Sequence, residues 1–168
     1  HAGAVNFLLA MQETLKLSGR DIMAATTSIS FDIALLEWFL PLMVGARTVL
    51  IGRDIVVDGP RLAQELEQSG ATIMQATPSG WRVLFDAASV PPVRVLCGGE
   101  AFPLELARKF LSEGLETWNL YGPTETTVWS MMARVTSAAD VVPLGRPISN
   151  TQIYLLDSAF NLVPVGVP

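Results

Sequence analysis

The stretch that decides the fold is NLYGPTETT, residues 119–127. It begins inside a short, partly β-prone run that starts at Thr117, and Gly122-Pro123 then forces a sharp turn. The turn carries three threonine hydroxyls and the carboxylate of Glu125. A polar turn directly after a strand is where an open α/β sheet binds ligands. By composition alone, an ordinary strand-end turn with a helix-capping threonine explains the stretch better than a binding site does.

Strand and helix patterns alternate along the chain before this turn. Short apolar runs predict strands over residues 21–28, 47–51, 72–76, 93–97 and 117–121. Helical spacing and capping signals predict helices over residues 5–17, 32–44, 58–69, 79–87 and 103–112. This alternation predicts an α/β, flavodoxin-like fold, with a mostly parallel sheet, right-handed crossovers and helices on both faces.

The pattern changes after Thr126. Residues 128–135 and 152–156 have strand character with no helix between them. We therefore expect the C-terminal strands to start a second, more antiparallel layer. On this interpretation, residues 1–127 form the flavodoxin-like part and residues 128–168 begin a β-rich part.

Three polar segments follow predicted strands, at residues 77–79, 98–101 and 122–125. The carboxyl ends of parallel strands meet at one edge of a sheet, so these segments should lie together. The sequence therefore predicts a ligand site there without reference to any family.

The 119–127 stretch resembles the Asn-x-Tyr-Gly-Pro-Thr-Glu core motif of nonribosomal peptide synthetase adenylation domains. These domains belong to the adenylate-forming superfamily, together with acyl-CoA synthetases and luciferases. Other segments resemble the family in the same order: Phe31-Asp32 followed by Glu37, GGEA at residues 98–101 and LGRPI at residues 144–148. The resemblance runs essentially from end to end.

The resemblance implies an ATP site around the turn. Tyr121 would stack on adenine, and Thr124 would contact phosphate. Glu125 would help to hold Mg²⁺, which suits a hard oxygen ligand, so Thr124 and Glu125 are the catalytic candidates. The full ATP or AMP set implied in this way is Gly99, Glu100, Ala101, Asn119, Tyr121, Gly122 and Thr124.

The resemblance also implies an amino-acid pocket. The carboxylate of Asp32 would bind the substrate α-ammonium. The matching Asp is usually absent from members of the superfamily that use fatty or aryl acids. The bulky lining resembles that of glycine-activating domains, so we expect glycine as substrate, with alanine second. The implied lining residues are Asp32, Ile33, Leu36, Gln75, Leu96, Gly98, Leu120, Val128 and Trp129.

Composition excludes other classes. Half of the residues are hydrophobic and the net charge is −5, with no basic cluster of the kind that binds nucleic acid. No apolar run approaches the roughly 20 residues of a membrane helix, and an anionic membrane would repel the chain. Cys97 is the single cysteine, so no intrachain disulfide can form. This suits a reducing compartment, and we expect the cytoplasm.

We expect the sequence to be an internal piece of an adenylation domain. The phosphate loop would precede His1, and the C-terminal lid with its catalytic lysine would follow Pro168. The resemblance then implies Mg-ATP as cosubstrate, and the rest of the domain, a condensation domain and a carrier domain with its phosphopantetheine thiol as partners. The isolated fragment should be inactive. Two alternatives remain open: another adenylate-forming ligase of the acyl-CoA synthetase type, and an inert flavodoxin-like binding module.

Overall fold

The computed structural model describes residues 1–86, 90–164 and 166 of the chain. The helices are α1 (Ala2–Leu15), α2 (Ala34–Val44), α3 (Arg53–Val56), α4 (Gly59–Ser69), α5 (Pro78–Phe85) and α6 (Leu104–Ser112). The strands are β1 (Ile22–Ala25), β2 (Arg47–Leu50), β3 (Ile73–Ala76), β4 (Arg94–Gly98), β5 (Thr117–Tyr121), β6 (Met131–Val135) and β7 (Arg146–Pro147).

All these strands belong to one sheet in the order β2-β1-β3-β4-β5-β6-β7. The first five pair in parallel, and β6 and β7 add to the edge in antiparallel register. The predicted α/β class with a mostly parallel sheet is confirmed. The carboxyl ends of β3, β4 and β5 therefore lie side by side, which brings residues 77–79, 98–101 and 122–125 to the same edge.

Helices cover both faces of the sheet, as predicted. α1 and α2 pack on one face, where Phe7, Met11 and Leu36 share a core with Leu96 and Leu120. We call this the α1/α2 face. α4, α5 and α6 pack on the opposite face, which we call the α5/α6 face. Its core contains Leu62, Leu66, Trp81, Leu84, Phe110, Val95 and Cys97. Because strand side chains alternate, neighbouring residues of β4 and β5 serve opposite faces.

Local signals in the sequence account for the helix ends. The Asp58 carboxylate accepts a hydrogen bond from the Arg61 N–H at 3.2 Å at the start of α4. Thr77 caps α5 in the same way. α2 ends where Gly45 adopts a left-handed φ of 70°. In the described part of the chain, no helix combines the length and the apolar character needed to cross a membrane.

The C-terminal third departs from the sequence prediction. Residues 131–135 pair with β5 in the main sheet, so the expectation that this segment starts a second layer is wrong. The strand also begins later than predicted, because Thr127 and Val128 have left-handed φ values of 71° and 67°. Residues 152–156 form no sheet strand; Leu156 makes only an isolated bridge to Leu162.

Smaller differences concern the helices. α1 begins three residues earlier than predicted, and α2 begins at Ala34, two residues later. The four-residue α3 was not predicted, because one turn is too short to produce a periodic pattern. The predicted end of α5 at Ala87 lies outside the described residues, and so do Val165, Val167 and Pro168 of the C-terminal segment.

Candidate nucleotide cleft and amino-acid pocket

The β4–β5 strand pair separates the candidate residues into two sets. Gly98 lies beside Leu120 in register, and Gln75 lies beside Leu96. Leu96 and Leu120 belong to the core on the α1/α2 face. Cys97, which alternates with them, belongs to the core on the α5/α6 face. Asn119 pairs with Cys97 and therefore faces the same side as it does.

A cleft of about 560 Å³ opens at the end of β4 and β5. The ATP-site residues predicted from the sequence line it, except for Gly122 and Thr124. Tyr121 is 47% exposed at the edge of this cleft, so its aromatic ring is accessible to a planar ligand. The lining residues are Gly99, Glu100, Ala101, Phe102, Asn119, Leu120, Tyr121, Val141, Val142 and Leu144.

Sequence reasoning missed one wall of this cleft. Val141, Val142 and Leu144 come from an irregular segment whose apolar residues follow no helix or strand period. The Asn119 side-chain N–H donates to the Pro143 carbonyl at 2.8 Å and ties this segment to β5. Asn119 therefore holds this segment in place, in addition to bordering the cleft.

The Glu100 side chain is engaged by α5 rather than left free. Its carboxylate accepts from the Ser79 hydroxyl at 2.6 Å and from the Ser79 N–H at 3.3 Å. These bonds, led by the one from the hydroxyl, lower the pKa of Glu100 below its usual value. The backbone of residues 99–101 remains on the cleft, where Gly99 has a left-handed φ of 87°.

The turn after Tyr121 is held tightly by its own backbone. A 3₁₀ turn spans Thr124–Thr126, and the Ser130 N–H donates to the Tyr121 carbonyl at 2.8 Å. Gly122 lies against the returning chain, because a Cβ built there would stand 2.5 Å from the Val128 carbonyl oxygen. Only glycine fits at this point of the turn.

Thr124 and Glu125 are exposed on this turn. Among the described residues, no three carboxylate, thiol or imidazole groups cluster as they would around a protein-only metal site. Mg²⁺ commonly binds through one or two carboxylates together with substrate phosphates and water. The single carboxylate of Glu125 fits that kind of ligation.

The residues predicted to line the amino-acid pocket, except Asp32, lie together on the α1/α2 face. The Gln75 side-chain N–H donates to the Ile33 carbonyl at 2.9 Å, and the Trp129 indole N–H donates to the Gln75 Oε1 at 2.9 Å. A Cβ built on Gly98 would stand 2.9 Å from the Trp129 ring edge. The remaining apolar members are buried in the surrounding core: Leu36, Leu96, Leu120 and Val128.

Asp32 stands apart from this network. It is half-buried just before α2 and lines a small cleft of about 220 Å³ with Phe31 and Trp38. Its carboxylate accepts no hydrogen bond from the part of the chain that the structure describes. The adjacent Ile33 reaches the pocket through its carbonyl.

Glu37 belongs to the pocket network, although sequence reasoning assigned it no role. Its side chain is fully buried, and it accepts from the Gln75 Nε2 at 2.9 Å. A charged residue inside the apolar run of residues 31–45 was the available signal, since a buried carboxylate requires partners.

A second cleft of about 560 Å³ lies at the ends of β1 to β3, between Thr27, Ile51 and Arg53. Its lining includes Ile33 from the predicted amino-acid pocket and Thr77 from the predicted 77–79 segment. The 77–79 segment does not line the cleft at the end of β4 and β5. Cys97 lies elsewhere, in the core on the α5/α6 face, where burial raises the pKa of its thiol far above the usual value. Cys97 is therefore a packed core residue rather than an accessible nucleophile.

Comparison with known proteins identifies the family. The family model of AMP-binding enzymes matches residues 1–168, and the chain belongs to this family. The chain is 42% identical over 165 residues to a dimodular nonribosomal peptide synthase of Bacillus subtilis, covering 96% of this chain and 7% of that protein. It is 33% identical over 181 residues to tyrocidine synthase 3 of Brevibacillus parabrevis, covering 99% of this chain and 3% of that protein.

Among solved structures, the chain is similar to holo-AB3403, a four-domain nonribosomal peptide synthetase bound to AMP and glycine. The TM-score is 0.91 at 42% identity, over 96% of this chain and 12% of that one. The resemblance to nonribosomal peptide synthetase adenylation domains is thereby confirmed. The chain spans only a small part of these relatives.

Proposed function

We propose that this chain forms the amino-acid pocket and one wall of the ATP site of an adenylation domain that activates glycine as glycyl-AMP. The whole reaction converts the amino acid and Mg-ATP into aminoacyl-AMP and pyrophosphate. The acyl group would then pass to the phosphopantetheine thiol of a carrier domain. The chain's belonging to the AMP-binding family supports adenylation in general, and the contacts within the two sites support the finer claims.

One observation carries the proposal. The cleft assigned to the nucleotide and the residues assigned to the amino acid lie at the end of the same two strands, and Leu120 both lines the cleft and belongs to the core on the α1/α2 face. A substrate carboxylate placed at this edge would face an α-phosphate bound beside Tyr121. Holding two reactants in this way lowers the entropic part of the barrier.

Each group in the nucleotide cleft would have a limited task. Tyr121 would stack on adenine, the backbone of residues 99–101 would border it, and Thr124 would contact phosphate. Mg²⁺, when bound through Glu125 and phosphate oxygens, would offset the negative charge that develops at the α-phosphate.

The amino-acid pocket would select by volume. Leu36, Leu120 and Trp129 are bulky and buried, and Gln75 is fixed by its hydrogen bonds. A Cβ built on Gly98 would stand 2.5 Å from the Leu120 carbonyl oxygen and 2.9 Å from the Trp129 ring, so a substrate side chain would have little space there. Asp32, whose carboxylate is free of hydrogen bonds within the described part of the chain, would bind the α-ammonium. The structure of AB3403 bound to AMP and glycine adds support from a relative that is 42% identical.

The proposed surroundings follow from the same assignment. The partners are the rest of the adenylation domain and the condensation and carrier domains of the same synthetase. The chain carries one buried cysteine and therefore no intrachain disulfide, and we place the enzyme in the cytoplasm. The division between residues 1–127 and residues 128–168 is proposed as the point where antiparallel strands begin to extend the same sheet, rather than as the start of a second layer.

The test is ATP–pyrophosphate exchange by the intact adenylation domain that contains this chain, assayed with the proteinogenic amino acids. We expect the highest kcat/KM with glycine and the second highest with alanine. A pocket separates substrates that differ by one methylene by about 10- to 200-fold at most. Faster exchange with leucine or phenylalanine would refute the glycine assignment, and exchange with none of them would refute amino-acid activation.

A further inference from the structure

Glu37 has a complete set of hydrogen-bond donors, although it is fully buried. Its Oε2 accepts from the backbone N–H groups of Thr26 and Thr27 at 2.9 and 3.0 Å. Its Oε1 accepts from the Thr27 hydroxyl at 2.6 Å and from the Gln75 Nε2 at 2.9 Å. An ionised carboxylate can accept all four bonds, because it only accepts.

These bonds fix the orientation of the Gln75 amide. Its NH₂ group faces two acceptors, the Glu37 carboxylate and the Ile33 carbonyl. Its oxygen faces a donor, the Trp129 indole N–H. The opposite orientation would place an NH₂ group against an indole N–H and an oxygen against a carboxylate and a carbonyl, so Glu37, Ile33 and Trp129 together allow only one arrangement.

The fixed amide in turn fixes an aromatic ring at the pocket. The Trp129 indole is buried, and its ring edge closes on the position where a Cβ of residue 98 would stand. A rotation of the indole would therefore change the space beside Gly98 directly. Glu37 itself does not reach that space in the described hydrogen bonds; it acts through Gln75.

We propose that Glu37 is a positioning residue for amino-acid selection, which sets the size of the pocket by orienting Gln75 and, through it, the Trp129 indole. This inference rests on the proposed amino-acid pocket and adds a residue that lies behind the lining. Burial raises the pKa of Glu37, while its hydrogen bonds act in the opposite direction. The donors around Glu37 therefore help to keep its carboxylate ionised, which is the form that only accepts hydrogen bonds.

The experiment compares Glu37→Gln with the parent adenylation domain in pyrophosphate exchange with glycine and with alanine. The substituted amide keeps its oxygen on the two backbone N–H groups and turns its NH₂ group toward Gln75, which removes one of the three hydrogen bonds that orient the Gln75 amide. The bonds to Ile33 and Trp129 then hold the amide and the indole less firmly. We expect the ratio of kcat/KM for glycine over alanine to fall about tenfold, as for the loss of one hydrogen bond to a charged group. The KM for ATP should stay within about twofold, because the nucleotide cleft is lined from the α5/α6 face and the strand ends.

Two further variants separate positioning from a general structural role. Glu37→Gln combined with Gln75→Glu keeps an acceptor for the indole and restores a donor–acceptor pair between the two side chains, but it loses the bond to the Ile33 carbonyl. It should therefore recover only part of the glycine preference. Glu116→Gln is the matched control, because Glu116 also accepts from an indole N–H, that of Trp118 at 2.9 Å, at the opposite end of β5. Its selectivity should equal that of the parent.

The outcomes are distinct. An unchanged glycine-to-alanine ratio in folded Glu37→Gln, or equal loss for both substrates, overturns the inference. If Glu37→Gln does not fold, Thr27→Val and Thr27→Ser decide, since only Val removes the hydroxyl that donates to Glu37. A glycine-to-alanine ratio of kcat/KM that falls in Thr27→Val but not in Thr27→Ser supports the inference. Equal ratios in the two variants overturn it. If the parent domain prefers a bulky amino acid, only the glycine assignment is refuted. The role of Glu37 can still be tested, because Glu37→Gln should then shift whatever preference the parent domain has.

Discussion

Gly122→Ala is the substitution that most directly probes the turn of residues 119–127. A Cβ at this position would stand 2.5 Å from the Val128 carbonyl oxygen, 2.7 Å from the Ser130 nitrogen and 2.8 Å from the Trp129 Cα. All three atoms are backbone, so no side-chain rotation relieves the overlap. The Ser130 N–H is also bonded to the Tyr121 carbonyl at 2.8 Å, which limits any outward shift.

The cost follows from this geometry. Inserting one methyl group into a packed site costs about 1–3 kcal/mol. We expect the upper part of that range, because residues 127 and 128 already have left-handed φ values that disfavour further distortion. The shift would move Trp129, so the KM for the amino acid should rise together with the loss of stability.

The assay is urea unfolding of the intact adenylation domain, followed by tryptophan fluorescence, with pyrophosphate exchange in parallel. Gly52→Ala is the matched control. A Cβ there would also meet an atom at 2.8 Å, but that atom is the carboxylate oxygen of Asp54, an exposed side chain that can move at the cost of its surface ion pair with Arg61. Its free energy of unfolding should change by less than about 0.5 kcal/mol. Equal effects of the two substitutions would refute the reasoning.

Three other predictions concern single side chains. Tyr121→Leu should raise the KM for ATP by about tenfold or more, as expected for the loss of about 1–3 kcal/mol of stacking on a base, while the KM for the amino acid changes little in exchange assays. Asp32→Asn should raise the KM for the amino acid and spare that for ATP; an unchanged amino-acid KM would remove Asp32 from the pocket. The Cys97 thiol should react with a disulfide reagent at pH 8 only after unfolding, because burial raises its pKa and blocks access; rapid reaction of the native domain would contradict the buried position.

The parallel part of the fold could be predicted because its signals are local and repeated. Short apolar runs mark β1 to β5, and capping residues such as Asp58, Thr77 and Gly45 mark helix ends. The placement of β6 could not be predicted in this way. Whether a strand adds to an existing sheet or starts another depends on the edge of β5, which is a long-range partner.

The candidate site was predicted unevenly for a related reason. Motif residues such as Tyr121 and Gly99 lie at strand ends, where the topology alone brings them together. Val141 carries no motif signal, and Glu37 belongs to the segment after Phe31-Asp32 but had no role assigned to it. Glu37 joins the site through a hydrogen bond to Gln75, which is far along the chain. Val141 joins it because Asn119 holds the irregular segment that contains Val141.

The most direct test of the central claim is a crystal structure of the intact adenylation domain with a non-hydrolysable glycyl-adenylate analogue. We predict the adenine on Tyr121, the ammonium within hydrogen-bonding distance of the Asp32 carboxylate, and the glycyl Cα beside Gly98 and Trp129. An analogue bound instead in the cleft between Thr27, Ile51 and Arg53, or an ammonium with no contact to Asp32, would contradict the account.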